Sequence, residues 1–235
     1  MVSDKSHVTK GDSRYSELVV NTRAHRSARH SSSSSRRESK ELTRQALVRA
    51  ALKLLSKNSF DSISLREVTR EAGITPTAFY RHFDDMEELG LVLVEESFVS
   101  LREMMRVARS DPSMFTDAIR RSIEVLVEHV RAHEGHMRFI ARERYGGVRR
   151  LRRAIRRELE LFGDELAVDL AGFPMVDAWS TEDRRMLAGI IVEAFVGMAA
   201  ELIDASHDEE DAITRRTRRR LLLLFVGVPG WQAGT

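Results

Sequence analysis

Between Ser64 and Phe83 three helix-boundary signals follow one another so closely that this stretch has little freedom in how it folds. Ser64-Leu65-Arg66-Glu67 has the form of a capping box, in which the Ser64 hydroxyl accepts from the Glu67 backbone N–H while the Glu67 side chain reaches back. A helix therefore starts here, buries Leu65, Val68 and Ala72, and stops at Gly73, where a left-handed backbone is cheapest. Thr75 caps the next helix, with Pro76 at its first position, where a missing N–H loses nothing. That helix is short, from Thr75 to Phe83. Phe79 and Phe83 are four residues apart and face inward, which leaves Thr77, Ala78, Tyr80, Arg81 and His82 on the outer sides.

An amphipathic helix precedes this pair. Leu47, Ala50, Ala51, Leu54 and Leu55 make one apolar stripe over about Lys40 to Lys57, and Asn58-Ser59-Phe60-Asp61 breaks it. Helix, helix, glycine turn, helix is the helix-turn-helix layout, whose last helix presents its N-terminal residues to base edges in the major groove. Small residues at Thr77 and Ala78 let the backbone come close, Arg81 suits guanine O6 and N7, and Thr77 can read thymine or another edge. Tyr80 and His82 suit phosphates, as do the helix starts at Ser64 and at Thr75-Pro76. Lys40, Arg44 and Arg66 add positive charge to the candidate DNA-contacting set. Half-buried packing for Tyr80 and a neutral surface imidazole for His82 are the competing readings.

The remainder reads as helix throughout. Asp85 with Glu88 opens a fourth helix to about Arg109, Asp111-Pro112 opens one to about His133, and Gly135 and Gly146-Gly147 bracket a short one. Val148, Leu151, Ile155, Leu159, Phe162 and Leu166 stripe a long helix that ends near Gly172-Phe173-Pro174. Ser180 caps another to about Ser206, and a last one covers Glu209 to Val226. The expectation is an all-α chain of about nine helices: a disordered basic tail over 1–38, a three-helix helix-turn-helix domain over 39–84, a helical effector-binding and dimerisation domain over 85–228, and a C-terminal tail over 229–235.

Several function classes drop out. No apolar run reaches the ~18 residues of a membrane span, and the N-terminus is broken by charge where a secretory signal would be apolar. There is no cysteine, which fits a reducing cytoplasm and removes disulfides and thiolate chemistry. A Gly-rich phosphate loop and a nucleophile elbow are also missing, and the carboxylate pairs fall where caps and i,i+4 partners need them, so no catalytic residue and no enzyme is expected.

The segment Ala72-Gly73-Ile74-Thr75-Pro76-Thr77-Ala78-Phe79-Tyr80-Arg81-His82-Phe83-Asp84-Asp85-Met86-Glu87-Glu88-Leu89 resembles the signature of the TetR family of bacterial regulators. The resemblance implies a homodimeric repressor on an inverted-repeat operator of double-stranded DNA, with Tyr80 and His82 on phosphates. Many members carry a Lys at the start of the fourth helix to grip phosphate, whereas this chain has Met86. Ser64 to Val68, Thr75 to Phe83 and Glu88-Leu89-Gly90-Leu91 look like the FabR/DesT subgroup, which represses unsaturated fatty acid synthesis genes. The likeness extends weakly to residues 138–144 and 156–159. It implies a long-chain acyl-CoA effector and no resident cofactor. The other reading it leaves is a regulator of the same type that answers to a different hydrophobic molecule, a drug or metabolite, and controls efflux or catabolic genes.

Among the many Met and Phe residues of the body, Met105, Phe139, Phe162 and Phe195 are candidates to line an apolar effector cavity between helices. Arg142 and Arg144, which flank Glu143, are candidates for the phosphates of a CoA headgroup. The run Arg149, Arg150, Arg152, Arg153, Arg156 and Arg157 reads either as a solvated face or as a second phosphate trap. His129, His133 and His136 have spacing that a divalent metal could use, but surface or pocket-wall histidines are the preferred reading and no metal is expected. Small residues from Ala188 to Ala200 and the run Leu221 to Phe225 suggest a self-complementary face for a dimer, which would set two recognition helices about 34–36 Å apart.

The formal net charge of +2 hides a basic N-terminus: residues 1–37 hold eight Lys or Arg against Asp4, Asp12 and Glu17. The stretch is either a solubilising extension or an arm that follows DNA phosphates. Deleting residues 1–34 and measuring DNA affinity against salt separates the two. A phosphate-tracking arm makes the truncated protein's slope shallower, and an unchanged slope removes the arm from the mechanism.

Overall fold

The computed structural model describes residues 37–109 and 115–231. The proposed disordered tail up to residue 36, the Asp111-Pro112 helix start and residues 232–235 lie outside the described residues. The chain divides between Ala46 and Leu47 into two compact units. Of the first unit the described part is residues 37–46, helical, with Lys40 exposed and Arg44 half-buried.

Among the described residues every regular element is helical: α1 over 37–55, α2 Leu65–Glu71, α3 Pro76–Phe79, α4 Met86–Arg109, α5 Phe115–Ala132, α6 Glu134–Glu143, α7 Arg149–Leu170, α8 Thr181–Leu202 and α9 His207–Gly227. Short 3₁₀ turns cover Phe60–Ser62 and Val228–Gly230. No described helix is long and apolar enough to cross a membrane.

Local chemistry explains most boundaries. Ser64 Oγ accepts from the Glu67 N–H at 3.3 Å and the Glu67 carboxylate accepts from the Ser64 N–H at 2.8 Å, closing the expected capping box. Gly73 has φ of 70°, the left-handed conformation that ends α2. Thr75 Oγ1 accepts from the Ala78 N–H with Pro76 at the first helical position, and Asp85 accepts from the Glu88 N–H at 2.7 Å to start α4.

Four expected boundaries move. The first helix begins and ends earlier than Lys40–Lys57, because Asn58 turns its side chain and its N–H back onto the Leu54 carbonyl. The helix expected to run through Phe83 is α-helical only to Phe79. Arg81 and His82 then donate to the carbonyls three residues back, a tighter winding that brings Phe83 under the module beside Phe79. Gly135 lies inside the first turn of α6 instead of ending α5. The break falls at His133, and a Cβ at position 135 would make only ordinary contact with Leu52. Finally, α8 stops at Leu202 rather than Ser206, since Ser206 is the N-cap of α9 and shares a capping box with Glu209.

Two large apolar clusters hold the main unit. The first joins Leu47, Leu55, Phe60, Val68, Phe79 and Phe83 to Leu89 and Leu93 of α4, Phe139 of α6, and Leu151 and Ile155 of α7. The second gathers α5, α7, α8 and α9 around Leu126, Leu170, Leu187, Met198 and Leu221. Full burial is worth about 1.5–3 kcal/mol for each large apolar side chain. Past α9, Trp231 donates to Asp183 at 3.2 Å and its ring lies 6.2 Å from that of Trp179.

His129 on α5 is fully buried, with the His133 ring 4.6 Å away. Burial, then the neighbouring His133 and His136, lower its pKa to about 4. The depressed value means that the folded state holds the neutral imidazole. Stability from this site is present above the unfolded pKa and is lost as pH falls towards the folded one. Thermal unfolding should show a loss of about 2 kcal/mol between pH 7 and 5 from His129. The variant His129→Leu should show a smaller acid sensitivity; an unchanged pH profile would contradict the assignment.

Candidate functional site

Two features of the main unit have functional geometry: the outer face of α3 and a set of cavities in the body. The face exists because Phe79 and Phe83, 0% and 2% exposed with ring centroids 5.5 Å apart, anchor the opposite side of the same short segment. Thr75, Pro76, Thr77, Tyr80 and Arg81 are exposed, while Ala78 and His82 are half-buried. The Tyr80 ring meets Phe79 edge-on at 5.7 Å yet stays 60% exposed, so the ring is braced from below while most of its surface remains open. This side of α3 carries donors, a cation and small residues, and no carboxylate, the composition that major-groove edges and phosphates require.

Other sequence candidates fall into different roles. Ser64 and Arg66 are exposed at the start of α2, but the Ser64 N–H and hydroxyl both donate to Glu67, at 2.8 and 2.7 Å, so its polar groups serve the cap. Ser64 in turn holds the Glu67 carboxyl below the usual carboxylate range. Met86 packs partly buried against the first apolar cluster.

The body contains three neighbouring spaces that share lining residues. An inner chamber of about 60 Å³ lies between α4, α5, α6, α7 and α8, lined by Phe98, Leu101, Met137, Ile140, Leu159 and Val196 among others. A second chamber of about 310 Å³ lies between α4, α5, α7, α8 and α9. Met105, Phe162 and Phe195 line both and form the partition, so three of the sequence candidates meet at one place. The inner chamber holds only about two groups the size of water, and the second is near the lower end of ligand pockets. An open cleft of about 880 Å³ runs along α7 and α8 and includes Arg144, Arg152, Arg156 and Arg185 together with Glu160, Asp164 and Glu193; Asp164 pairs with Arg185 at 2.8 Å. It shares Leu159 and Val192 with the inner chamber.

Two ligand candidates sit elsewhere. Phe139 is 1% exposed and packs against Phe60 at a centroid distance of 6.2 Å, lining none of these three spaces. Arg142 donates to the carbonyls of Leu55 and Asn58, at 3.1 and 2.6 Å, and so caps the C-terminal end of α1. Arg144 does reach the cleft, where it pairs with Glu193 at 3.0 Å and lies 4.8 Å over the Tyr145 ring. Within the arginine run, Arg149, Arg153, Arg156 and Arg157 are exposed. Arg150 faces Glu87 at 3.6 Å, and Arg152 donates to the carbonyls of Gly146 and Gly147. Among the described residues no group of His, Cys, Asp or Glu is placed to hold a metal ion.

Sequence reasoning missed Phe60 and Glu143. Glu143 is 1% exposed and accepts from the Phe60 N–H at 2.8 Å. Burial pushes its carboxyl upward; the Phe60 N–H opposes that, Asp61 adds to it, and Arg142 opposes it. The available sequence signal was one aromatic residue stranded in the polar stretch Asn58 to Ser62.

If Arg81 reads a base, Arg81→Ala should weaken binding of the preferred duplex by about 1–3 kcal/mol and relax one base position. Binding that weakens equally for all sequences would make Arg81 a phosphate anchor instead.

The sequence pattern described as "Bacterial regulatory proteins, tetR family" matches residues 47–91, from within α1 to the first turns of α4. Over about four fifths of the chain the fold is similar to that of several solved structures. The fatty acid degradation regulator FadR from Bacillus halodurans is 15% identical with a TM-score of 0.65, over 77% of this chain and 94% of that one. FadR from Bacillus subtilis in complex with stearoyl-CoA is 16% identical with a TM-score of 0.63, over 80% and 99%. A TetR-family transcriptional regulator from Streptomyces coelicolor is 18% identical with a TM-score of 0.62, over 80% and 96%. At these identities the likeness shows the fold. Residues 47–91 thus match the tetR family of bacterial regulatory proteins, within a chain whose fold is similar to that of a solved TetR-family transcriptional regulator.

Proposed function

We propose that this chain is a ligand-responsive repressor that binds an inverted-repeat operator as a homodimer and controls fatty acid genes, those for desaturation included, in response to a long-chain acyl-CoA. Residues 39–84 read DNA and residues 85–228 bind the effector and pair the protomers. The single observation that carries the effector class is the shared wall at Leu159 and Val192, with an arginine-bearing cleft on one side and an apolar chamber on the other. An acyl thioester needs both: cations for its phosphates and a dry channel for its chain. Movement of Met105, Phe162 and Phe195 would join the inner chamber to the second one and lengthen that channel.

Two further points support the reading. FadR from Bacillus subtilis, which shares the fold, is described in complex with stearoyl-CoA. For the dimer, Met186 and Ile190 on α8 and Leu223 and Val226 on α9 remain exposed, an apolar surface beside Gly189 and Gly197 that a second copy can cover. Differential effector affinity for the DNA-competent state of about 1–3 kcal/mol is sufficient for a switch.

Titration with palmitoyl-CoA and oleoyl-CoA tests the effector. At least one should bind below about 100 μM, near 5.5 kcal/mol, and Arg156→Glu should weaken it about tenfold while leaving free oleate unaffected. No binding by either thioester at that concentration removes acyl-CoA. Tight binding of a compact apolar compound in its place would favour the regulator of drug or metabolite genes.

A further inference from the structure

The corner between α6 and α7 grips the turn between α1 and α2. Arg142 donates to the carbonyl of Leu55, the last residue of α1, where helical partners run out, and to that of Asn58 just beyond it. The next residue, Glu143, sends a buried carboxylate oxygen to the Phe60 N–H. Among the described residues no group bonds its second oxygen, Oε2, which lies against Gly146. A side chain at Gly146 would collide with this carboxylate, and one at Gly147 would collide with that of Asp61. The grip continues through the Phe60 ring. It packs on Phe139, and a Cβ at position 90 would stand 2.7 Å from Phe60 Cζ and 2.9 Å from Leu151 Cδ2.

These contacts differ from ordinary core packing in their directionality. Apolar packing holds the module against the body without donors or acceptors of fixed direction, whereas a fork on two carbonyls and a carboxylate on one N–H define position and angle. A buried carboxylate that loses its donor is left uncompensated, so the corner resists small rotations. The same helix also faces the inner chamber, through Met137, Ile140 and Ala141, immediately before Arg142.

We propose that Arg142 and Glu143 are positioning residues for DNA reading: by clamping the α1–α2 turn they set the attitude of the three-helix module on the body, and with it the half-site spacing a dimer accepts. The inference rests on the operator-binding reading above. It assigns Arg142 to transmission between body and DNA module instead of to the effector. In a dimer each module is aimed by its own clamp, and loosening the clamp lets two recognition helices reach half-sites at several separations.

The test uses the full chain and a random-sequence duplex library to find the half-site that the wild-type protein enriches. Affinity is then measured on duplexes carrying that half-site twice as an inverted repeat, over a series of spacer lengths, and on a single half-site. Wild type should prefer one spacing by about tenfold or more over spacers one or two base pairs away. R142Q and E143A should flatten that preference to about threefold or less with little change on the single half-site, and E143Q, which keeps the acceptor for Phe60, should restore the wild-type profile. Should E143A fail to fold, R142Q at a half-exposed position carries the test. Spacing profiles of the variants that overlay the wild type overturn the proposal, as does uniform loss of affinity on every duplex including the single half-site. A wild-type protein that enriches no sequence at all fails the operator reading itself, a result distinguishable from either.

Discussion

The burial of Phe79 and Phe83 side by side is the constraint on which the rest of the molecule turns. A segment this short cannot hold a helical conformation alone, since nucleation is unfavourable and few hydrogen bonds follow it. Two phenyl rings driven into the apolar cluster supply that stability. They also fix the rotation of the segment about its own axis, and thereby place Thr77, Tyr80 and Arg81 on the solvent side. The tighter winding at Arg81 and His82 belongs to the same constraint, because it brings the second ring into line with the first.

That cluster does not end with the three-helix module. Leu89 and Leu93 of α4, Phe139 of α6 and Leu151 of α7 belong to it, so the module is seated on three helices of the body. Close packing makes such a seat stiff, and displacement of α6 or α7 must be followed by the module or must open a void. Gly90 shows how tight the crossing is, with α4, the Phe60 ring and Leu151 meeting where no side chain fits. The cavities lie between the same helices, with Leu101 of α4, Ile140 of α6 and Leu159 of α7 in their walls. The volume of these cavities is therefore tied to the positions of the helices.

Features encoded within a few residues of one another were legible in the sequence. The Ser64–Glu67 box, the left-handed Gly73, the Thr75-Pro76 start and the inward phenylalanine pair each depend on neighbours less than one or two helical turns away, and each stands in the structure as the pattern implies. The partition by Met105, Phe162 and Phe195 was legible only as a set of apolar residues with cavity-lining potential. What escaped was long-range. Phe60 and Glu143 are 83 positions apart, and nothing in either neighbourhood signals that a carboxylate will be buried on a distant N–H. Arg142 and Arg144 looked alike as flanking cations, yet one caps α1 and the other reaches the cleft, a difference made by where α6 ends. Ser206 begins α9 where the sequence pattern puts the end of α8, because its capping partner Glu209 itself has the look of a helix start.

The central claim is that the exposed side of α3 discriminates among DNA sequences. The most direct measurement is the ratio of affinities for the enriched duplex and for random duplex of equal length, taken at one fixed, moderate ionic strength so that the phosphate contribution cancels. A specificity ratio of about a thousand or more is what base-edge readout by a two-fold pair of such modules predicts. A ratio near one would mean that Thr77, Tyr80 and Arg81 meet phosphates alone, and would contradict the account.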